Sequence, residues 1–313
     1  MSFATSVKNE ITNYETLKSE SIAELSAFIY NNGEIKNKNI VISTENKEIA
    51  ERILELIEEI YHITLLIDIK KSYNFNKNLI YILEINKKQE EILNDLSLKD
   101  NSSYLVIPKD YIMNDDEEKR AYIKGIFLAC GSINDPKTSG YHLEFLVKNK
   151  EYALFLKNLL NEYNLNSKIL NRIKGYMVYI KESESISDFL KLIKAYNAVM
   201  YFEDIRIYKD HINMTNRLNN CEQANIEKTI NAANKQLEDI NIIEKYNNLE
   251  LLDNKLKEIS LYRKKYPEAS LIELSNIISV ETNLKVSKSG LNHRFRKIKE
   301  LADKIRQDNK EKI

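Results

Sequence analysis

Small and apolar residues gather twice in this chain into a run that reads as a buried helix and stops at a glycine. One run, residues 23–35, has Ala23, Leu25, Ala27, Phe28 and Ile29 ahead of Gly33. The other, residues 121–133, has Ala121, Ile123, Ile126, Phe127 and Leu128 ahead of Gly131. Glycine at such a place predicts a helix end in the left-handed conformation. After each glycine comes a strand-like segment (39–43; 141–147), then an Asn-Lys-Glu triplet at Asn46-Lys47-Glu48 and Asn149-Lys150-Glu151, whose asparagine predicts a helix cap. Behind the first triplet Ile49, Ile53, Leu56, Ile57 and Ile60 recur at helical spacing; Leu154, Leu156, Leu159 and Leu160 do so less strictly behind the second. Two further strands follow in each half (65–69 with 79–85; 168–172 with 176–180), and each half closes on a helix (88–96; 185–196). The order helix, two strands, helix, two strands, helix thus occurs twice, with a linker at 97–115 that contains Pro108.

From about Ile205 the pattern becomes helical only, with helices predicted over 218–246, 251–266, 271–278 and 288–306. Pro267 breaks the chain after the second, and Ser270 is placed to cap the third. In the last, Leu291, Phe295, Ile298, Ala302 and Ile305 recur at intervals of three and four and predict one buried stripe. Leu271, Leu274, Ile277 and Ile278 give the preceding helix an apolar face suited to pack beneath it. The connection 279–286 between them is longer than the ~3–4 residues of a tight helix-turn-helix. At the junction of the two parts, Asn216, Arg217, Asn219 and Asn220 form a polar block, expected to cap and orient the long helix more than to hold phosphates.

The chain has 313 residues, 43% hydrophobic and 30% charged, which predicts about two ordinary globular domains. Cys130 and Cys221 stand alone, and His62, His142 and His211 are scattered, so neither a disulfide framework nor a metal site is expected. No apolar run approaches the ~18 residues that span a bilayer, and residues 1–12 lack the features of a signal peptide. A cytoplasmic, nucleoid-associated protein without membrane contact is therefore expected. Net charge is zero but unevenly placed. Residues 1–205 hold 26 Lys and Arg against 31 Asp and Glu, while residues 284–313 hold ten basic against four acidic. The basic end is where a polyanion would bind.

Around the buried stripe of 288–306, Ser289, Asn292, His293, Arg296 and Lys299 are left for solvent or a partner, with Arg294 and Lys297 alongside. Arginine pairs bidentately with guanine and asparagine with adenine, and these residues sit near the N-terminal part of the helix, where recognition helices meet base edges. Lys285, Lys288 and Lys299 are better placed for phosphates, with Ser287 beside them. The predicted partner is double-stranded DNA, and no cofactor is called for.

The duplicated helix-to-glycine element resembles the LAGLIDADG signature of homing endonucleases. That resemblance implies two signature helices packed side by side, each with a metal-binding acid just before its glycine. Here those positions hold Asn32 and Cys130, and Glu34 and Asp135 lie past the glycines. A nuclease's divalent metal needs hard, anionic oxygen ligands, so catalysis is not expected.

The blocks 119–122 through 131–136, 216–222 and 286–294, with Met1-Ser2-Phe3, resemble the bacterial WhiA family over nearly the whole chain. The resemblance implies an α+β fold in which a duplicated LAGLIDADG-like αββαββα domain (residues 1–205, halves 1–97 and 116–205) precedes an all-α helix-turn-helix domain (206–313). It implies a DNA-binding regulator tied to cell division, chromosome segregation or sporulation. Two other readings are a metal-dependent endonuclease, opposed by Asn32 and Cys130, and a scaffold whose acidic N-terminal part takes a regulatory protein while the basic end holds it on DNA.

Overall fold

The structure, a computed structural model, describes residues 1–71, 79–101, 103–246 and 252–310. It divides into two units, Met1–Lys209 and Asp210–Ile313.

The first unit opens on α1 (Phe3–Thr12), capped by the Ser2 hydroxyl, which accepts from the Thr5 N–H at 3.1 Å. The sequence pattern did not predict this helix, because Val7 and Ile11 are its only strongly apolar buried residues. Then come α2 (Lys18–Asn32), β1 (Glu34–Lys36), β2 (Asn39–Thr44), α3 (Lys47–Tyr61), β3 (Ile67–Lys71), β4 (Leu79–Ile85) and α4 (Gln89–Asp95). The linker carries a small hairpin, β5 (Lys99–Asp100) with β6 (Ser103–Tyr104), and a 3-10 turn at Asp110–Ile112. The second half repeats the first as α5 (Asp116–Cys130), β7 (Gly131–Ile133), β8 (Leu143–Val147), α6 (Lys150–Glu162), β9 (Lys168–Arg172), β10 (Gly175–Ile180) and α7 (Ser183–Leu192). Each half builds an antiparallel four-stranded sheet with the same order, β1-β2-β4-β3 and β7-β8-β10-β9. Register places Ile42 opposite Leu83 and Phe145 opposite Val178, all buried, as period-two alternation requires. Asn46 and Asn149 cap α3 and α6, accepting from Ile49 N–H (3.2 Å) and Glu151 N–H (2.7 Å).

The glycines behave otherwise than expected. Gly33 and Gly131 are extended (φ −69° and −77°), not left-handed. Their requirement is space: a Cβ on Gly33 would stand 2.6 Å from the Ile29 carbonyl oxygen, and one on Gly131 2.3 Å from a Phe127 ring carbon. α2 and α5 pack side by side and are buried after their first turns, from Ser21 to Ile29 and from Ala121 to Leu128, Ile22 excepted. At Gly125 the backbones approach so closely that a Cβ would lie 2.3 Å from the Glu24 carbonyl oxygen.

A charged cluster is sealed against this helix pair. The fully buried Glu24 carboxylate accepts from Arg52 (3.3 and 3.1 Å) and from Lys124 (2.9 Å), and Arg52 also donates to the Thr16 hydroxyl (2.7 Å).

The helix predicted to run to 196 stops at Leu192; Lys194 takes φ 61°, and a new helix, α8 (Tyr196–Lys245), begins. Its first N–H groups are satisfied from α1: the Glu10 carboxylate accepts from Asn197 (2.7 Å) and Ala198 (3.0 Å). The division between the units falls within α8, not at a loop. Asn216, Arg217, Asn219 and Asn220 cap nothing; they are exposed in the middle of this helix.

The second unit packs Ile240 and Ile243 of α8 with α9 (Asn254–Lys265), α10 (Leu271–Thr282) and α11 (Lys288–Lys310). The expected start of α9 at Leu251 lies outside the described residues; Asp253 caps the observed helix, accepting from Leu256 N–H at 2.8 Å. Ser270 caps α10 in a reciprocal box with Glu273. The core joins Leu256, Ile259, Leu274 and Ile278 to Leu291, Phe295, Ile298 and Ala302.

α10 runs four residues past its predicted end. Ser279 and Thr282 point their hydroxyls back to the carbonyls of Ser275 and Ile278, both at 2.7 Å, so these polar groups are accommodated within the helix, which ends where Asn283 turns left-handed (φ 52°). No helix among the described residues is long and apolar enough to cross a membrane.

Candidate nucleic-acid interface

With α10 extended, the connection to α11 shrinks to residues 283–287, and its shape is fixed by side chains. Ser275 donates to the Val286 carbonyl (2.9 Å), and Ser279 accepts from the Val286 N–H (3.0 Å). Ser287 then starts α11: its hydroxyl accepts from the Gly290 N–H (3.1 Å) and its carbonyl from Leu291 (2.9 Å). Ser287 is thus a cap whose hydroxyl also meets that of Ser289 at 3.1 Å.

The buried stripe of α11 is the one its periodicity predicts: Leu291, Phe295, Ile298 and Ala302 are inside, with Ile305 partly so. Lys285, Lys288, Ser289, Asn292, His293, Arg296, Lys297 and Lys299 are exposed and Arg294 is half-buried. Serines apart, none of these makes a hydrogen bond or ion pair to any described residue. Further along, Arg306 differs: it pairs with Asp239 (2.8 Å) and Asp303 (2.6 Å). The first three turns of α11 therefore offer cations and amides that need no internal bond broken before they meet a partner.

The tips of α2 and α5 are organised in the opposite way. The Asn32 side-chain oxygen accepts from the Ser43 N–H at 3.2 Å. The Cys130 thiol donates to the Ile126 carbonyl at 3.5 Å, and burial pushes its pKa up to about 12, so it stays protonated. Beside it the Lys8 amine donates to the Leu128 carbonyl (3.2 Å) and lies 5.5 Å from the centre of the Phe127 ring. Burial pulls Lys8 down to about 8. A divalent metal does not fit here: a neutral amide, a protonated thiol and an amine cannot supply its anionic oxygens. Glu34 points into an exposed pair with Lys36 (2.6 Å), and Asp135 accepts from Lys137 N–H (2.8 Å) and the Tyr201 hydroxyl (3.1 Å). No group of three His, Cys, Asp or Glu among the described residues could hold a metal ion.

Two residues of consequence escaped the sequence. Lys8 stands in an unremarked polar stretch, and Arg263 reads as one more cation in the basic last turn Arg263-Lys264-Lys265. Yet Arg263 is only 1% exposed, lies over the Phe295 ring (5.4 Å) and donates to the carbonyls of Tyr266 (3.3 Å) and Ala269 (2.5 Å). It closes the α9–α10 corner under the helix that faces outward.

Three family models match this chain: the WhiA N-terminal LAGLIDADG-like domain over residues 18–99, the WhiA LAGLIDADG-like domain over 119–212 and the WhiA C-terminal HTH domain over 215–302. The chain is 46% identical over 311 residues to the "Probable cell division protein WhiA" of Staphylococcus carnosus, and 44% identical over 310 residues to that of Staphylococcus epidermidis. Each match covers 98% of both chains. Full-length DUF199/WhiA from Thermatoga maritima has the same fold, with a TM-score of 0.58 at 23% identity, over 97% of this chain and 99% of that one.

Proposed function

The chain belongs to the WhiA family, and on that premise we propose that it is a non-catalytic regulator that reads double-stranded DNA through α11. Its targets are genes of cell division, chromosome segregation or sporulation, and its place is the nucleoid. The observation that carries this reading is the unpartnered row Asn292, Arg296 and Lys299, flanked by Lys285, Lys288, His293, Arg294 and Lys297, on a helix whose other face is locked in the core. Asn292 and Arg296 read base edges, assisted by Ser289 and His293; the lysines hold phosphates and set register. Absence of nuclease activity is supported by the inward-bonded Asn32, Cys130 and Lys8. The acidic excess of residues 1–205 suits a protein partner better than DNA.

The test is selection of bound duplexes from a random pool, followed by fluorescence anisotropy on the selected and a random duplex. Failure to enrich any sequence overturns sequence-specific reading. Incubation of the purified protein with plasmid and magnesium or manganese is expected to leave the plasmid intact; metal-dependent nicking that co-purifies with the protein and vanishes in an Asn32→Ala variant would restore the nuclease.

A further inference from the structure

Within the second unit, a cleft of about 260 Å³ opens between residues 228–236 of α8, the start of α10 and the start of α11. Among the described residues three cations line it, Lys228, Arg263 and Lys288, and no carboxylate does. The nearest acid of α10, Glu273, is turned back onto the Ser270 N–H at 2.7 Å. Arg263 is the unusual member. It is almost wholly buried, and among the described residues it has no acidic partner and its Nε, shut off from solvent, has no hydrogen-bond partner. The buried Gln236 side-chain oxygen on the same wall is likewise unpartnered. A guanidinium sealed without a counter-charge is costly, and so is an idle donor on it.

Leu271 and Ile272 bring the first turn of α10 to the same opening. The leading N–H groups of a helix lack intrahelical acceptors and favour an anion. Buried arginine, two flexible lysines and a helix start, whose one acid, Glu273, is held on the Ser270 N–H, share one complementary ligand. We propose that this cleft binds a phosphate group, held by Arg263 and the start of α10 and closed over by Lys228 and Lys288. A turn of the Gln236 amide, whose O and N are interchangeable in outline, would present its NH2 to the same ligand.

The phosphate has two sources, a free phosphorylated small molecule or the DNA backbone. Only the second rests on the DNA-binding reading above. Lys228 is the discriminating residue, because it is exposed on α8 and that reading makes no use of it.

The experiment uses the full chain. Without DNA, inorganic phosphate and ADP are titrated by calorimetry into the wild type, Lys228→Glu and Arg263→Lys, with thermal unfolding to confirm that each variant folds. With DNA, the affinity of the wild type and Lys228→Ala for a random duplex is followed against salt. Phosphate or ADP binding that weakens at least tenfold in folded Lys228→Glu assigns a free ligand. No such binding, but a salt slope reduced by about one unit in Lys228→Ala, assigns a backbone phosphate. A wild type that binds neither phosphate nor ADP, with an unchanged slope in Lys228→Ala, overturns the site. A wild type that binds no duplex at all defeats the DNA reading, and the titrations then decide the cleft alone.

Discussion

The tips of α2 and α5 and the outer face of α11 are both polar surfaces on helices, and they use polarity in opposite directions. At the tips, Asn32, Cys130 and Lys8 are each bonded to the protein's own backbone. On α11, the side chains of Asn292, Arg296 and Lys299 make no hydrogen bond or ion pair among the described residues. A residue's type does not mark it as functional; whether its hydrogen bonds have already been made does. The first region has turned its polar groups inward, whereas the second leaves them without internal bonds among the described residues.

The largest effect is expected from breaking the inward side at its most sealed point. Glu24→Ala strands Arg52 and Lys124 inside the helix pair and should lower the stability of the first unit by ~3–5 kcal/mol, read by chemical denaturation. A loss under 1 kcal/mol would mean that water reaches the cluster. On the other side, Phe295→Ala removes the ring beneath Arg263 and should cost ~3–5 kcal/mol in the second unit. If each change leaves the other unit's unfolding unaltered, the two units fold independently; a single shared transition displaced by both would show that they fold together.

Binding effects are smaller and more selective. Arg296→Ala and Asn292→Ala should each lose roughly 1–3 kcal/mol on a selected duplex and little on random DNA, by anisotropy on variants shown to fold. If both bind both duplexes like the wild type, the reading surface lies elsewhere. Smallest of all, Lys299→Ala should weaken both duplexes about equally and reduce the salt slope by about one unit. A loss confined to the selected duplex would make Lys299 a base reader.

Much of this was legible in the amino-acid order because two periodicities carry it. Ile40 and Ile42 alternate on a strand, Leu291, Phe295 and Ile298 recur on a helix, and Asn46 and Asn149 announce the helices they cap. What failed to show were features that no residue type announces. α7 ends where Lys194 turns left-handed and the Ala195 N–H bonds to the Leu190 carbonyl (2.9 Å), and Glu10, far back in the chain, then holds the start of the next helix. α10 continues through Ser279 and Thr282, polar residues whose hydroxyls bond back to carbonyls of the same helix. Gly33 and Gly131 were recognisable as necessary, but for a backbone angle they do not adopt; the crowding comes from Ile29 and Phe127, four residues back in the same helix, where the chain leaves it extended. At the candidate interface the face could be read and its freedom from internal bonds could not. Arg263 was hidden because a buried arginine and an exposed one look alike in a basic run.

The carboxylate of Glu10 also has a consequence in time. Its backbone partners Asn197 and Ala198 follow it by 187 and 188 positions, and the carbonyl that receives Lys8 follows by 120. At a ribosome's pace of ~5–20 residues per second, about 10–40 s separate Glu10 from the N–H groups it holds. Throughout that interval α1, ten residues long, is too short to persist alone, and Val7 and Ile11 lack the far end of their environment. A nascent chain stalled before residue 198 therefore holds α1 only by its earlier partners, among them Asn46, which donates to Asn9 (2.6 Å), and the Leu128 carbonyl, and leaves the Glu10 carboxylate without the N–H groups that complete it.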